Sequence, residues 1–398
     1  MSLDLTKIAA QVGAMIAGLK DNRAERERRL RFALETINNP AIDLDALKKK
    51  IKAGKTSWLV AELTEGLSQR YPLPPTPADF TVMATDGSHI DVDRHRTARC
   101  FLINIGAVSL SYGSKPDAAL SSSPRLYSDD KDLVITHPGG GREQMIEGAL
   151  LGAKRSIEEL KKLADLAAGL PQKSAAIALL DGTLILWGLE AYPEFVSDAL
   201  LAGGLMPCLD AMKKLNADRQ LALASYISFP RSTDVVNVLR VAVCPNDIPN
   251  CDNQCPPGRE RECDGVAGVR DRDLFMSLLA DGERSALFIS PSKVVKEHYG
   301  EHRIYFFYLR AGDEIARVEI TQWVAENEEL LNLTHALIYD QCQRGGGYPV
   351  ALSEAHEQAV VTGADREIFW ELVESTMIEG HLPDPVSAKS FSKRTRWV

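Results

Sequence analysis

Long apolar runs are absent from this sequence. No stretch of its 398 residues reaches the roughly 18 consecutive apolar residues of a membrane helix. The opening MSLDLTKIAAQVGAMIAGLK lacks the charged-then-apolar layout of a secretory signal. Without an export signal, the seven cysteines are expected to be reduced and the setting cytoplasmic, so disulfides are not expected. A surplus of positive charge is also missing. Lys and Arg number 46 against 55 Asp and Glu, a net charge of −9. That excludes a globally basic surface and leaves any polyanion contact to local clusters. Two exist, Arg23–Arg31 (RAERERRLR) and Lys48–Lys55 (KKKIKAGK), and each reads first as a solvated helix face. No internal repeat is evident.

What is present fits a folded chain with a sizeable core: 45% apolar and 25% charged residues. The length suits one large elaborated domain or two ordinary ones. Residues 1–70 read as helical, from Ile8, Val12, Ile16 and Leu19 and again from Trp58, Leu59, Ala61, Leu63 and Leu67. The four prolines of Tyr71–Pro77 end that region. Strands are expected at 80–84, 98–110 and, in fragments, 126–127 and 133–136. An amphipathic helix is expected over 142–168 behind Gly139-Gly-Gly141, closed by Gly169 and Pro171. A buried strand at 175–180, a helix near 193–215, a strand at 221–227 and a helix near 231–243 follow. After an irregular stretch over 244–270 come strands near 286–290, 302–309 and 315–320, then helices near 324–341 and from 353.

This order predicts an α/β fold, a mixed sheet flanked by helices. It carries an N-terminal helical region (1–76), a main domain (77–385) with a Cys-rich insertion (244–264), and a basic tail (386–398).

Two apolar strands run into Asp-Gly: Ala84-Thr-Asp86-Gly87-Ser88 and Leu179-Leu-Asp181-Gly182-Thr183. Either alone reads as a turn aspartate. Two in one sheet point to a shared cation site, because a carboxylate at the rim of a buried strand needs a counter-charge. A strand of five or six residues covers about 17–20 Å, or about 11–13 helical residues. With part of the distance given to the connection, that places Glu147 or Glu143 of the 142–168 helix beside Asp181 and leaves Glu158 and Glu159 too far along. Glu147 is favoured, since Gly148 and Ala149 after it permit close packing. Three such carboxylates suit Mg²⁺ or Mn²⁺, and two ions about 4 Å apart would serve phosphodiester hydrolysis.

At this point the sequence resembles the NurA family of nucleases. Met83-Ala-Thr-Asp-Gly-Ser-His-Ile90 is similar to that family's opening Asp-Gly-Ser motif, Leu179-Leu-Asp-Gly-Thr-Leu184 to its second, and Gly347-Tyr-Pro-Val-Ala-Leu-Ser-Glu-Ala-His-Glu-Gln-Ala359 to its C-terminal block. The resemblance spans about residues 80–370. It implies an RNase H-like fold, a homodimer, Mn²⁺-dependent cleavage of DNA, and 5′ to 3′ resection alongside a HerA-like hexameric ATPase. By position it implies that Asp86, a helix glutamate and Asp181 ligate metal, with His356 as a further ligand or proton-transfer group and Tyr348 nearby. By itself His356, near a helix start, suits a metal ligand or general acid, while Tyr348 alone reads as a packing residue. DNA contacts are expected from local cations such as Arg231, Arg240 or Lys293, with binding that weakens as salt rises. Two rivals share the residues: an RNase H-like nuclease acting on RNA or hybrids, and a non-catalytic DNA-binding or ATPase-docking subunit.

Cys244, Cys251, Cys255 and Cys263 fall in one irregular loop at C-x6-C-x3-C-x7-C. Four thiolates there suit zinc or an iron–sulfur cluster, though the paired C-x2-C of common zinc sites is missing. Cys100, Cys208 and Cys342 lie in apolar surroundings and read as core.

Overall fold

The computed structural model describes residues 4–382 except 94, 95, 97, 257, 259 and 260. The tail expected at 386–398 lies outside the described residues. The chain forms two compact units. One comprises residues up to 73, 228–292 and 305–318; the other comprises 74–227, 293–304 and the residues from 319 on.

The second unit carries the candidate site. Its strands lie in the order Gln220–Ile227, Ala175–Asp181, Phe80–Ile90, Phe101–Tyr112, Asp117–Tyr127. The first three run parallel and the last two antiparallel, making a mixed sheet. Ala176–Leu180 and Leu221–Tyr226 are buried throughout, as continuous apolar runs require when both faces are covered. The Asp117–Tyr127 strand was visible in the sequence only at its end. It lies at the end of the strand order, mostly exposed, and contains Ser121-Ser-Ser-Pro124, so it has no burial to impose an alternation.

Helix Ala149–Ala168 turns Leu150, Leu151, Leu160, Leu163 and Ala167 inward. It begins seven residues later than the periodicity suggested. Residues Glu143–Met145 instead pair with Val134–Thr136, and the Gly139-Gly-Gly141 turn between them is closed by the His137 N–H on the Arg142 carbonyl (2.9 Å). The expected 193–215 helix is present as Glu194–Leu200, a π-turn at Leu201–Leu205 and Met206–Leu215. By length and composition it could cross a membrane, but Val196, Leu200, Leu205, Leu209 and Met212 are buried within the fold.

In the first unit, helices Leu5–Asp21, Arg23–Ile37 and Leu44–Ala53 are followed by extended chain rather than the helix expected through Leu67. Glu62–Leu63 pairs with Phe288–Ile289, and Arg70–Tyr71 with Arg284–Ser285. Tertiary bonds outweigh the helical spacing here: the Ala61 N–H goes to the Asp234 carbonyl (3.1 Å), and Glu65 accepts the Leu287 N–H (2.7 Å). The core joins Ala33, Leu47, Val235, Leu239, Phe275, Phe288 and Phe306.

A charged group sits inside this core. Asp271 is fully buried and accepts the N–H groups of Val235 (3.2 Å) and Val236 (2.8 Å), in the first turn of helix Asp234–Ala242, and the Tyr308 hydroxyl (2.7 Å). Neighbouring Asp234 is paired with Arg317 at 2.7 Å. Burial, and then the charge of Asp234, push the Asp271 carboxyl from 3.8 up to about 6 despite its donors. The unfolded chain therefore releases this proton first. Asp271's contribution to stability is fullest below about pH 4, falls as pH rises to about 6, and is flat beyond. By pH 7 the decline amounts to about 3 kcal/mol. In Asp271→Asn, melting temperatures followed from pH 4 to 7 are expected to lose this decline; an unchanged slope would assign it elsewhere.

Candidate metal centre

Asp86 lies in the middle of the Phe80–Ile90 strand, not at a turn as its Asp-Gly sequence suggested. Strand alternation sends Asp86 and Ser88 to one face and Thr85 and Gly87 to the other. Each pair receives a different helix.

On the first face lies helix Val350–Ala359, which begins three residues before the expected start. Its last carbonyls need donors. Ser88 Oγ donates to the Ala359 carbonyl, and Asn104 Nδ2 to those of Gln358 (3.2 Å) and Ala359 (3.0 Å). The helix seats on Gly106, the residue opposite Asp86, where an added Cβ would stand 2.2 Å from the Ala355 carbonyl oxygen and 2.5 Å from the Ala359 nitrogen. That seating brings His356 Nδ1 to 2.7 Å from Asp86 Oδ2, while Asp86 Oδ1 accepts the Gly87 N–H (2.7 Å). A ring nitrogen facing a carboxylate carries the proton, so in neutral His356 the other nitrogen, Nε2, is an acceptor. His356 is largely exposed and open to a substrate.

On the opposite face lies helix Ala149–Ala168. Thr85 Oγ1 donates to the Glu159 carbonyl (3.0 Å), and Gly87 makes room for the Glu159 side chain, since a Cβ there would sit 2.5 Å from Oε1. Glu159 is 5% exposed. Arg155 Nε stands 3.0 Å from Glu159 Oε1, but off the hydrogen-bonding line, so both buried atoms lack a completed hydrogen bond. Burial pushes the Glu159 carboxyl up to about 8. Arg155 pulls it down, while the charges of Asp86 and Asp181 add to the rise. The same Arg155, together with burial as the larger cause, lowers the affinity of His89 for its proton.

Asp181 ends its strand, with Gly182 turning at φ 91° and donating its N–H to the Tyr226 carbonyl (3.0 Å). Its outer side is open to solvent. Crowding by protein, then by Asp86, raises its carboxyl above the usual range, against hydrogen bonds from the Tyr348 hydroxyl and the Gly182 N–H and the influence of His356. Tyr348 stands edge-on to Tyr226, with ring centroids 5.5 Å apart.

The structure thus groups Asp86, Asp181, His356 and Tyr348. It does not bring in Glu147 or Glu143: both are exposed, Glu147 in the loop before the helix and Glu143 in the small hairpin. Glu159, packed on the face of the strand opposite to Asp86, is the helix glutamate within electrostatic reach of both aspartates. A helix reaching back to 142 sets Glu147 at the level of Asp181; with the helix starting at Ala149, that level falls further along it. Counted back from the helix end at Ala168, a strand of about 20 Å reaches residue 155, one turn from Glu159. One signal was available, because Glu159 shares the i, i+4, i+8 ridge with Leu163 and Ala167, both fully buried.

Among the described residues, the ligand atoms compact enough to lie within 4.8 Å of one another are those of Asp210, Glu301 and His302, a separate set. Glu301 already has Lys213 Nζ at 2.5 Å, and Asp210 has His302 at 2.8 Å. Of the cations expected to meet DNA, Arg231 is exposed, Lys293 is exposed and lies 3.8 Å from Glu297, and Arg240 stacks on Trp58 at 4.0 Å.

The family model of the NurA domain matches residues 80–361. No curated protein matches the chain. Among solved structures, the chain is similar to the Argonaute of Kluyveromyces polysporus crystallised with a guide RNA. The two share 12% identity at a TM-score of 0.25, over 69% of this chain and 25% of that one. This chain therefore spans about a quarter of that protein's length, and a likeness at this level supports no argument about function.

Proposed function

Since this chain belongs to the NurA family of metal-dependent nucleases, we propose that Asp86, Glu159 and Asp181 hold Mn²⁺ or Mg²⁺ for the hydrolysis of DNA phosphodiesters. The observation that carries this reading is the buried Glu159 carboxylate, which lies within the influence of Asp86 and Asp181 and has Arg155 Nε at 3.0 Å as a cationic neighbour. Three carboxylates against one guanidinium leave negative charge that a hard divalent cation would offset. The three groups do not fall within one 4.8 Å cluster, so engaging all of them would take more than one ion. Bound there, such ions neutralise phosphoryl charge and acidify an attacking water.

The remaining work falls to side chains. Asp86 fixes the tautomer and direction of His356 through the 2.7 Å contact, leaving Nε2 to ligate or to take up a proton at the scissile phosphate. Tyr348 holds the Asp181 carboxylate in place. Ser88 and Asn104 fix the helix that carries His356. The activity in this reading is single-strand endonuclease and 5′ to 3′ exonuclease, used in DNA end resection by a homodimer beside a HerA-like ATPase.

Asp86→Ala and Asp181→Ala are each expected to lower Mn²⁺-dependent cleavage of single-stranded DNA at least ~10²-fold, and His356→Ala by ~10²–10⁴-fold. Binding of the same DNA in chelator should change little. Cleavage that survives the two aspartate changes, or is absent from the unaltered chain, would sink the proposal and favour a non-catalytic DNA-binding role.

A further inference from the structure

The cysteine-bearing insertion has little to hold it together. From residue 250 to 265 no described residue is buried. Its ends are well tied. The Lys55 N–H bonds the Pro249 carbonyl (2.7 Å), the Cys251 N–H bonds the Lys55 carbonyl (3.1 Å), and Gly265 is flush against the Phe32 ring, where a Cβ would come within 2.8 Å. Between these anchors the half-buried residues include the three thiols of Cys251, Cys255 and Cys263. A loop of this length without an apolar core needs a covalent or metal staple.

Cys251 opens the short helix Cys251–Gln254 and Cys255 follows it, so the two lie one turn apart on the same side. Cys251 is further within the electrostatic influence of Cys255, Cys263 and Arg240, and Arg261 within that of Cys255 and Cys263. Cys244 lies two residues beyond helix Asp234–Ala242, which carries Arg240 and packs on the turn Glu262–Val266 that contains Cys263. The sulfur of Cys251 also accepts the Ser57 N–H, the kind of supporting bond that orients a ligand thiolate.

Among the described residues, no three of these sulfurs lie within 4.8 Å of one another. A single zinc with Zn–S bonds of about 2.3 Å would draw four sulfurs to about 3.8 Å apart. A cluster of several irons, each taking an outward thiolate, holds its cysteines wider.

We propose that Cys244, Cys251, Cys255 and Cys263 ligate an iron–sulfur cluster that staples the 244–264 insertion. The cluster is structural and is separate from the carboxylate centre.

The test is anaerobic purification of the full chain, followed by reconstitution with ferric iron and sulfide, a thiol reductant taking part of the iron to the ferrous state. Expected are visible charge-transfer absorbance, iron and acid-labile sulfide in equal amounts, and loss of both in Cys251→Ser and Cys255→Ser. Cys208→Ser and Asp86→Ala should retain them, the second separating this result from the nuclease reading. Because a Cys variant could misfold, limited proteolysis of the unaltered chain with and without cluster supplies a second readout, with protection of the insertion expected on reconstitution. Zinc as the bound metal, a disulfide among the four, or four freely alkylated thiols after reconstitution would each overturn the proposal.

Discussion

Glu159→Gln is expected to cost at least ~10²–10³-fold in metal-dependent cleavage, while Glu147→Ala stays close to the unaltered rate. The change is nearly isosteric, so its effect reads the loss of a charged ligand rather than of packing. It should also make the metal-free protein more stable. Burial holds the folded carboxyl near 8 against an ordinary 4.5. The unfolded chain therefore ionises first, and the metal-free fold loses stability as pH rises from about 4.5 to 8. At pH 7 this amounts to roughly 3 kcal/mol. In chelator, Glu159→Gln should melt at a higher temperature than the unaltered chain and lose that pH slope. Adding Mn²⁺ should raise the melting temperature of the unaltered chain and scarcely move the variant. Loss of activity with a lowered melting temperature in chelator would instead make Glu159 a structural group, and full activity would return the choice to Glu143 or Glu147.

The choice of glutamate shows where sequence reasoning stopped. Asp86, Asp181, His356 and Tyr348 were legible because each sits in a short ordered motif, and the structure groups them. Glu159 has no motif; its mark is a carboxylate on an otherwise buried ridge, which only a correct helix start makes visible. That start was hidden because Ile146 continues the helical spacing, while Glu143–Met145 pairs with Val134–Thr136 and the Ile146 N–H bonds the Leu133 carbonyl. The central strands were legible from unbroken apolar runs. The serine-rich edge strand was not, since it is mostly exposed and nothing imposes an alternation on it, and neither was the extended chain through Trp58–Leu67, whose backbone partners are distant in sequence. Likewise Asp86-Gly87-Ser88 read as a turn, although the glycine is there because Glu159 occupies the space a side chain would need.

Gly106 tests whether the seating of the His356 helix matters as much as its chemistry. A side chain at this position meets the Ala355 carbonyl oxygen at 2.2 Å, the Ala359 nitrogen at 2.5 Å and the Gln358 carbonyl carbon at 2.8 Å. All three are helix backbone, so no rotamer change relieves the overlap and the helix itself must move. Gly106→Val is expected to destabilise the chain by about 3 kcal/mol, the upper end of overpacking costs. Moving the helix also takes His356 away from Asp86, and a displacement of about 1 Å at a reacting group costs on the order of 10²-fold in rate. Gly152→Ala is the contrasting change: nothing lies within 4 Å of the added carbon, and it replaces a helical glycine. That variant should gain about 0.5–1 kcal/mol and keep its activity. If Gly106→Val cleaves at the unaltered rate while folded, His356 acts without its registration against Asp86, and the contact between them is only structural. If both activity and stability fall, His356→Ala separates the two causes, because it should lower cleavage by ~10²–10⁴-fold and leave the melting temperature nearly unchanged.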